Sequence, residues 1–252
     1  SMDAIEQITV NVTPYDVRQS GFLGGAMNAI TRSGSNNFDA SVYSYFYNQD
    51  FRGTRVGDKT LTLNPEQHLI VGARVGGPIV KNKLFFFLNF EMQRDTSPGP
   101  SRIASTPDKP YTTGDDGVAR PSANVLDALS NYLVKEWGYD PGAYQGYNAE
   151  NPGMKILARL DWNINDNNKL MFRFNKTGNT QWFTPNGNSC DDNFRNRAYN
   201  RSGPNSFPFS NNMYSQRNDV MSFATELNSR FSTQVSNQFI FTYTDINDQR
   251  GS

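Results

Sequence analysis

The sequence predicts an all-β protein, an antiparallel transmembrane β-barrel fragment of about seven strands with long loops gathered at one end. Three observations predict it. Apolar and polar side chains alternate with a period of two over segments of about ten residues, the pattern of strands that are wet on one face and apolar on the other. Short turn-like links alternate with long ones along the chain. The apolar content is concentrated in aromatics (Phe 18, Tyr 12, Trp 3) while charged residues are only 19%, the reverse of a disordered composition.

The elements follow in order. Residues 5–10 read as a strand, and the stretch NAITRSGSNNFDASVY begins as a second, breaks at a Gly/Ser/Asn turn and resumes as the alternating aromatic strand FDASVYSYFYNQ. HLIVGARVGG is the next strand. In NKLFFFLNFEMQR, Leu84, Phe86, Leu88, Phe90 and Met92 share one face, with Asn89, Glu91 and Gln93 on the other. GMKILARLDWNIND sets Ile156, Ala158, Leu160, Trp162 and Ile164 against Lys155, Arg159, Asp161 and Asn163. KLMFRFNKTGNTQ sets Leu170, Phe172 and Phe174 against Arg173 and Asn175. Met221, Phe223, Leu227 and Phe231 oppose Ser222, Glu226 and Arg230, and Phe239, Phe241 and Tyr243 oppose Thr242 and Thr244. The apolar sets are predicted to face lipid and Arg159, Arg173 and Glu226 the lumen, so a charge should be costly at Leu88 and nearly silent at Asn89.

The links VKNK, NDNNK and STQVSN are short and turn-like, whereas residues 95–152 and 178–216 are long, Pro/Gly/Asp-rich and Asn/Arg/Pro-rich respectively. A helix is expected over 123–137. Outer-membrane barrels place short turns at the periplasmic end and long loops outside, whereas a soluble β-sandwich, the alternative for one-sided strands, has no reason to collect its long loops at one end.

Several functions are disfavoured. Lys+Arg and Asp+Glu are both 24, so the basic surplus of a nucleic-acid binder is missing. Mean hydropathy is −0.67 and hydrophobic residues are 36%, low for a compact enzyme. The longest apolar run, LFFFL, is far short of the roughly 20 residues of a membrane helix, and SMDAIEQ is no signal peptide. A single cysteine, Cys190, excludes an internal disulfide framework. His68 is the lone histidine and reads as a polar lumen residue rather than a catalytic base; no nucleophile, phosphate-loop or zinc motif occurs. No catalytic residue, metal or cofactor is therefore assigned. Asp115/Asp116 and Asp191/Asp192 lack calcium-loop spacing and read as solvated acids.

What precedes the aromatic strand carries a resemblance. Ile5, Glu6, Ile8 and Val10, followed by Gly21, Gly24, Gly25, Asn28, Ile30, Thr31, Arg32 and Gly34 at intact spacing, resemble the end of the plug domain of TonB-dependent outer-membrane transporters. The wording TPYDVRQSGFLGG resembles the Oar-like subgroup, whose members carry a carboxypeptidase-regulatory-like domain ahead of the plug. The resemblance implies that residues 1–37 are the C-terminal part of a plug and 38–252 the first part of a barrel of about 22 strands, in the outer membrane of a Gram-negative cell. It implies outer-membrane lipid, an extracellular ligand of unknown identity, and a TonB complex contacted through a region absent from this chain, as partners. Ala29 and Ile30 should pack inside, and Arg32 with Asn28 should fix plug to wall.

Two functions of different class follow. One is a receptor that binds a ligand outside and passes it through a plugged barrel; the other is a surface adhesin or interaction protein through which nothing crosses. Ligand contacts are expected from the long loops, where aromatics stand beside hydrogen-bonding residues: Trp137, Tyr139, Tyr144, Trp182, Arg195 and Arg197, with the basic-aromatic stretch 193–203 among them.

Overall fold

The computed structural model of the protein describes residues 1–12, 25–60, 63–113, 117–184 and 203–251. In chain order the strands are β1 (Ile5–Val12), β2 (Gly25–Thr31), β3 (Asp39–Asn48), β4 (Arg55–Val56), β5 (Lys59–Thr60), β6 (Gln67–Val80) and β7 (Leu84–Pro98). Then come β8 (Ile103–Ser105), β9 (Val118–Ser122), helix α1 (Ala123–Trp137), β10 (Asn148–Asn165), β11 (Asn168–Phe183), β12 (Tyr214–Arg230) and β13 (Ser236–Gly251). Seven of them form one antiparallel sheet in the order β13-β12-β11-β10-β7-β6-β3. β1 pairs with β2 separately, and β4-β5 and β8-β9 are small pairs within the long links.

Local chemistry fixes the tight turns. Between β6 and β7, Asn82 takes a left-handed conformation (φ 62°) that asparagine tolerates better than most residues. Between β10 and β11, Asn165 Oδ1 accepts from the Asn167 N–H at 3.0 Å. Between β12 and β13, Ser232 Oγ accepts from the backbone N–H groups of Gln234 and Val235. α1 has the expected bounds and stops at Gly138, whose φ of 60° suits a residue without Cβ. The strands outrun expectation at the other end: β7 continues to Pro98, β10 begins at Asn148, β11 reaches Phe183 and β12 starts at Tyr214. The long connectors are correspondingly shorter than 95–152 and 178–216, because residues without an apolar partner still satisfy their backbone groups in the ladder.

Register aligns the apolar positions into rows. Leu84, Trp162, Leu170, Leu227 and Phe239 stand side by side across β7, β10, β11, β12 and β13, and Leu88, Ala158, Phe174, Phe223 and Tyr243 form a parallel row four residues on. The upper boundary of this band is slanted. It reaches Met92 in β7 and Met154 in β10, but in β11 and β13 it gives way one row earlier, to Lys176 and Asp245. In β3 and β6 it climbs further, to Phe46 beside Leu69. A flat apolar slab cutting strands inclined by roughly 35–45° produces such a slant. From Leu84 to Met92 the strand rises about 26 Å at ~3.3 Å per residue, or about 20 Å after tilting, close to the apolar band of a membrane barrel.

The opposite face is polar and partly covered by the β1-β2 pair. Ala4 packs there on Phe87 and Leu157, a small buried apolar cluster. Burial here differs from expectation at two places. Asn89 is buried, and its amide donates to the Ala73 carbonyl at 3.4 Å. Among the described residues Ile30 is 44% exposed and Ala29 is also exposed.

Candidate functional site

Two features share the polar face: the junction that holds β1 and β2 against the sheet, and an open cavity between that junction and the long-loop end.

The junction is built from charged side chains that inward positions of the strands present. Arg159 is held by Asp161, its Nε and Nη2 donating to the carboxylate at 2.9 and 2.8 Å. Its remaining nitrogen, Nη1, donates to the Thr31 carbonyl at 2.7 Å and to Thr31 Oγ1 at 3.2 Å. Near the start of the chain, Asp3 receives Arg74 Nε at 3.1 Å and the Ser41 hydroxyl at 3.0 Å. Arg74 also pairs with Asp39 at 3.3 Å. Glu91 accepts from the Tyr43 hydroxyl and from Lys155 Nζ, each at 2.7 Å. At Glu91 and Arg74, whose side chains are little exposed, such bonds are stronger than at the open surface.

The plug-like motif is placed in part. Gly21 and Gly24 lie outside the described residues. Gly25 begins β2, where a Cβ would meet only the Asn11 carbonyl at 3.5 Å, an ordinary contact. Asn28 pairs in register with Thr9 and is exposed. Gly34 is the sterically constrained member: a Cβ there would fall 2.8 Å from the Gly77 carbonyl oxygen and closer still to that of Phe86. The linker therefore crosses the sheet with its backbone pressed on β6 and β7. Asn36 and Asn82 then clasp it to the first tight turn, through Nδ2 to Oδ1 at 2.6 Å and Asn82 N–H to Asn36 Oδ1 at 2.7 Å. Among the described residues Arg32 makes no side-chain hydrogen bond to the sheet. Its backbone N–H donates to Ala4 within the pair, its Nε is buried without a hydrogen bond, and Arg159 makes the cross-contact instead.

The loop candidates split. Tyr144 donates to Asp127 at 2.9 Å, and its ring stands edge-on to Phe207 and Phe209. Tyr139 Oη accepts from Asn211 Nδ2 at 3.2 Å, and Tyr147 donates to the Pro208 carbonyl at 3.0 Å. Burial pushes the Tyr147 phenol up to about 12, and burial beside Asp127 raises that of Tyr144. These residues lock residues 139–147 to 207–211, a structural task. Trp137 is 70% exposed at the end of α1. Trp182 shares the outward parity of Leu170, Phe172 and Phe174 at the long-loop end, the place of an interfacial aromatic, and its backbone N–H donates to Asn151 Oδ1 at 2.6 Å. Arg195, Arg197, Cys190 and both acid pairs lie outside the described residues. His68 faces the Asp95 carboxylate on the polar side.

The cavity measures about 550 Å³ and is lined by Gln93, Asp95, Asn151, Lys155, Asn179, Gln181 and Asn218 among others. At its rim the rings of Phe183 and Tyr214 stack with centroids 4.9 Å apart at 13°, and the Arg250 guanidinium lies 4.0 Å over Tyr214. Sequence reasoning assigned recognition to loops and passed over this wall. The signal was in NKTGNTQ, where β11 keeps its alternation beyond the apolar band with amides inward.

Residues 30–252 match the model of the outer membrane beta barrel domain family. The chain is similar to the TonB-dependent transporter Oar of Myxococcus xanthus, at 26% identity over 183 residues that cover 70% of this chain and 16% of the relative. It thus spans less than a fifth of that protein's length. No solved structure matches. With well over half its length matched, the chain belongs to the outer membrane beta barrel domain family and is a protein of the outer membrane.

Proposed function

We propose that this chain is part of a TonB-dependent receptor of the Oar-like subgroup, in which residues 1–37 are the end of a plug and the seven-stranded sheet is the first part of the surrounding wall. The receptor binds a ligand at the outer face and passes it inward when the energy-coupling complex acts on the plug. The observation that carries the reading is the bond from Arg159 on the wall to Thr31 in the plug-like pair, with Asp3 and Arg74 as a second clasp. An adhesin needs loops but no polar clasp inside its wall. Such charged bonds suit a part that must be seated when idle and release under load.

The test is uptake. The full-length protein should confer TonB-dependent accumulation of its cargo, abolished when the coupling complex is deleted, while surface binding persists. Cell-cell or surface attachment that is lost with the protein but indifferent to the coupling complex would establish the adhesin instead.

A further inference from the structure

The inner wall between the plug-like pair and the loops has a composition that names a class of cargo. Register stacks Gln181 beside Gln216 and Asn179 beside Asn218 on β11 and β12, with Asn151 and Gln93 on the neighbouring strands. Asn179, Gln181 and Asn218 make no side-chain hydrogen bond among the described residues. The two charges that line the cavity are engaged: Asp95 by His68 and Gln93, Lys155 by Glu91. Its lining offers no apolar side-chain pocket, Pro152 and Val220 being its only sizeable apolar members.

We propose that this wall binds a neutral oligosaccharide, a reading that rests on the receptor function above. Each primary amide both donates and accepts, so an array of them matches hydroxyls, which do the same. A chain of sugars presents such groups on every side. Among the described residues that line the cavity the one full cation, Lys155, is already held by Glu91, so an anionic cargo would meet no free cation in the lining itself. A peptide would hydrogen-bond the amides through its backbone, but its side chains would find no apolar pockets, which is where peptide specificity comes from. At the rim Tyr214 lies between Arg250 and Phe183, and the Phe183 ring supplies a flat apolar surface on which a sugar ring can lie while its hydroxyls reach the amides.

The experiment uses the purified full-length protein in detergent, titrated calorimetrically with neutral hexasaccharides of α-glucan, β-glucan and chitin type, an uncharged Gly/Ser/Asn hexapeptide, and inorganic polyphosphate. At least one saccharide binds, and the triple variant N179A/Q181A/N218A weakens that binding at least tenfold while keeping its heat-modifiable migration on gels. Binding of no saccharide, equal binding by the triple variant, or equal sensitivity of the peptide overturns the proposal. Failure of the underlying function is separable. Saccharide binding that depends on the amides without TonB-dependent uptake upholds the site and refutes the transport reading; uptake of another cargo unaffected by the triple variant does the reverse.

Discussion

Arg159 and Thr31 are 128 positions apart in sequence, yet the guanidinium Nη1 lies 2.7 Å from the threonine carbonyl oxygen. Asp161 holds the other side of the guanidinium, so the fork is aimed before it meets the plug-like strand. Arg159→Ala should weaken the seat of the β1-β2 pair by about 1.5–3 kcal/mol, the range for a hydrogen bond to a charged group. Cells carrying the variant should admit a bulky antibiotic that the intact outer membrane excludes, with ligand binding unchanged. Arg32→Ala, which removes no cross-contact seen among the described residues, should leave permeability at the wild-type level; a leak from Arg32→Ala alone would reverse the assignment.

Gly34 gives a second test of the same junction. A methyl group at this position meets two backbone carbonyl oxygens, which cannot rotate away as a side chain could. Gly34→Ala should destabilise the seated linker by about 1–3 kcal/mol, the cost of overpacking a tight site. Gly25→Ala, with only a 3.5 Å neighbour, should cost far less. Hydrogen exchange of residues 25–38 in the folded protein distinguishes them: faster exchange in the Gly34 variant alone is the expected result.

The faces of the strands were legible because alternation is local. Leu88 and Phe90 announce their side of β7 within a few residues, and the same holds for Phe172 and Phe239. The slant of the apolar boundary was not, since it exists only once Lys176 is known to stand beside Ile156 rather than beside Met154. Asn89 was misjudged for a related reason: its parity is right, but alternation does not say which inward positions are buried. The pairing of Arg159 with Asp161 is local and legible, but its contact with Thr31, 128 positions away, is not, and that contact makes Arg159 rather than Arg32 the anchor among the described residues. The motif signalled Gly34 clearly but gave no way to rank it above Gly25.

Leu88 stands within the apolar band, in the same row as Phe174 and Tyr243. Leu88→Arg should therefore cost about 2–4 kcal/mol, the penalty of a charge near the midplane on the lipid side. The proper control on the polar face is Thr242, which is exposed and away from the plug-like pair, and Thr242→Arg should be nearly neutral. Denaturant titration of the parent protein folded into lipid vesicles measures both. Equal costs would mean that the face assignment is wrong.

Tyr147 makes the loop contact sensitive to high pH. Its hydroxyl donates to the Pro208 carbonyl and its phenol is pushed up to about 12 by burial. Because the folded-state value lies above the unfolded one near 10, the contribution of the neutral phenol is intact below pH 10 and is lost as pH rises through 12. Phenolate absorbance at high pH should lose one late-titrating tyrosine in Tyr147→Phe. A Tyr147→Phe titration identical to wild type would refute the burial.

The two long connectors hold one another, and their removal should be felt across the gap. Ser210 N–H donates to the Ala143 carbonyl at 2.7 Å, Ser210 Oγ accepts from the Ala143 N–H at 3.0 Å, and Asn211 Nδ2 reaches the Asp140 carbonyl at 3.1 Å. Tyr144 adds its edge-on contacts with Phe207 and Phe209. Deleting residues 203–212 removes every one of these partners of 139–147 while leaving β11 and β12 intact to Phe183 and Tyr214. The barrel should insert normally, since its apolar rows are untouched. The connector carrying α1 should instead become sensitive to trypsin added outside the cells, with cuts after Arg102 and Lys135, Arg120 being protected by the proline that follows it. If that connector owed its order to its own helix, cleavage would stay at the wild-type rate. α1 reaches the rest of the protein chiefly through β9, so faster cleavage is the expected outcome.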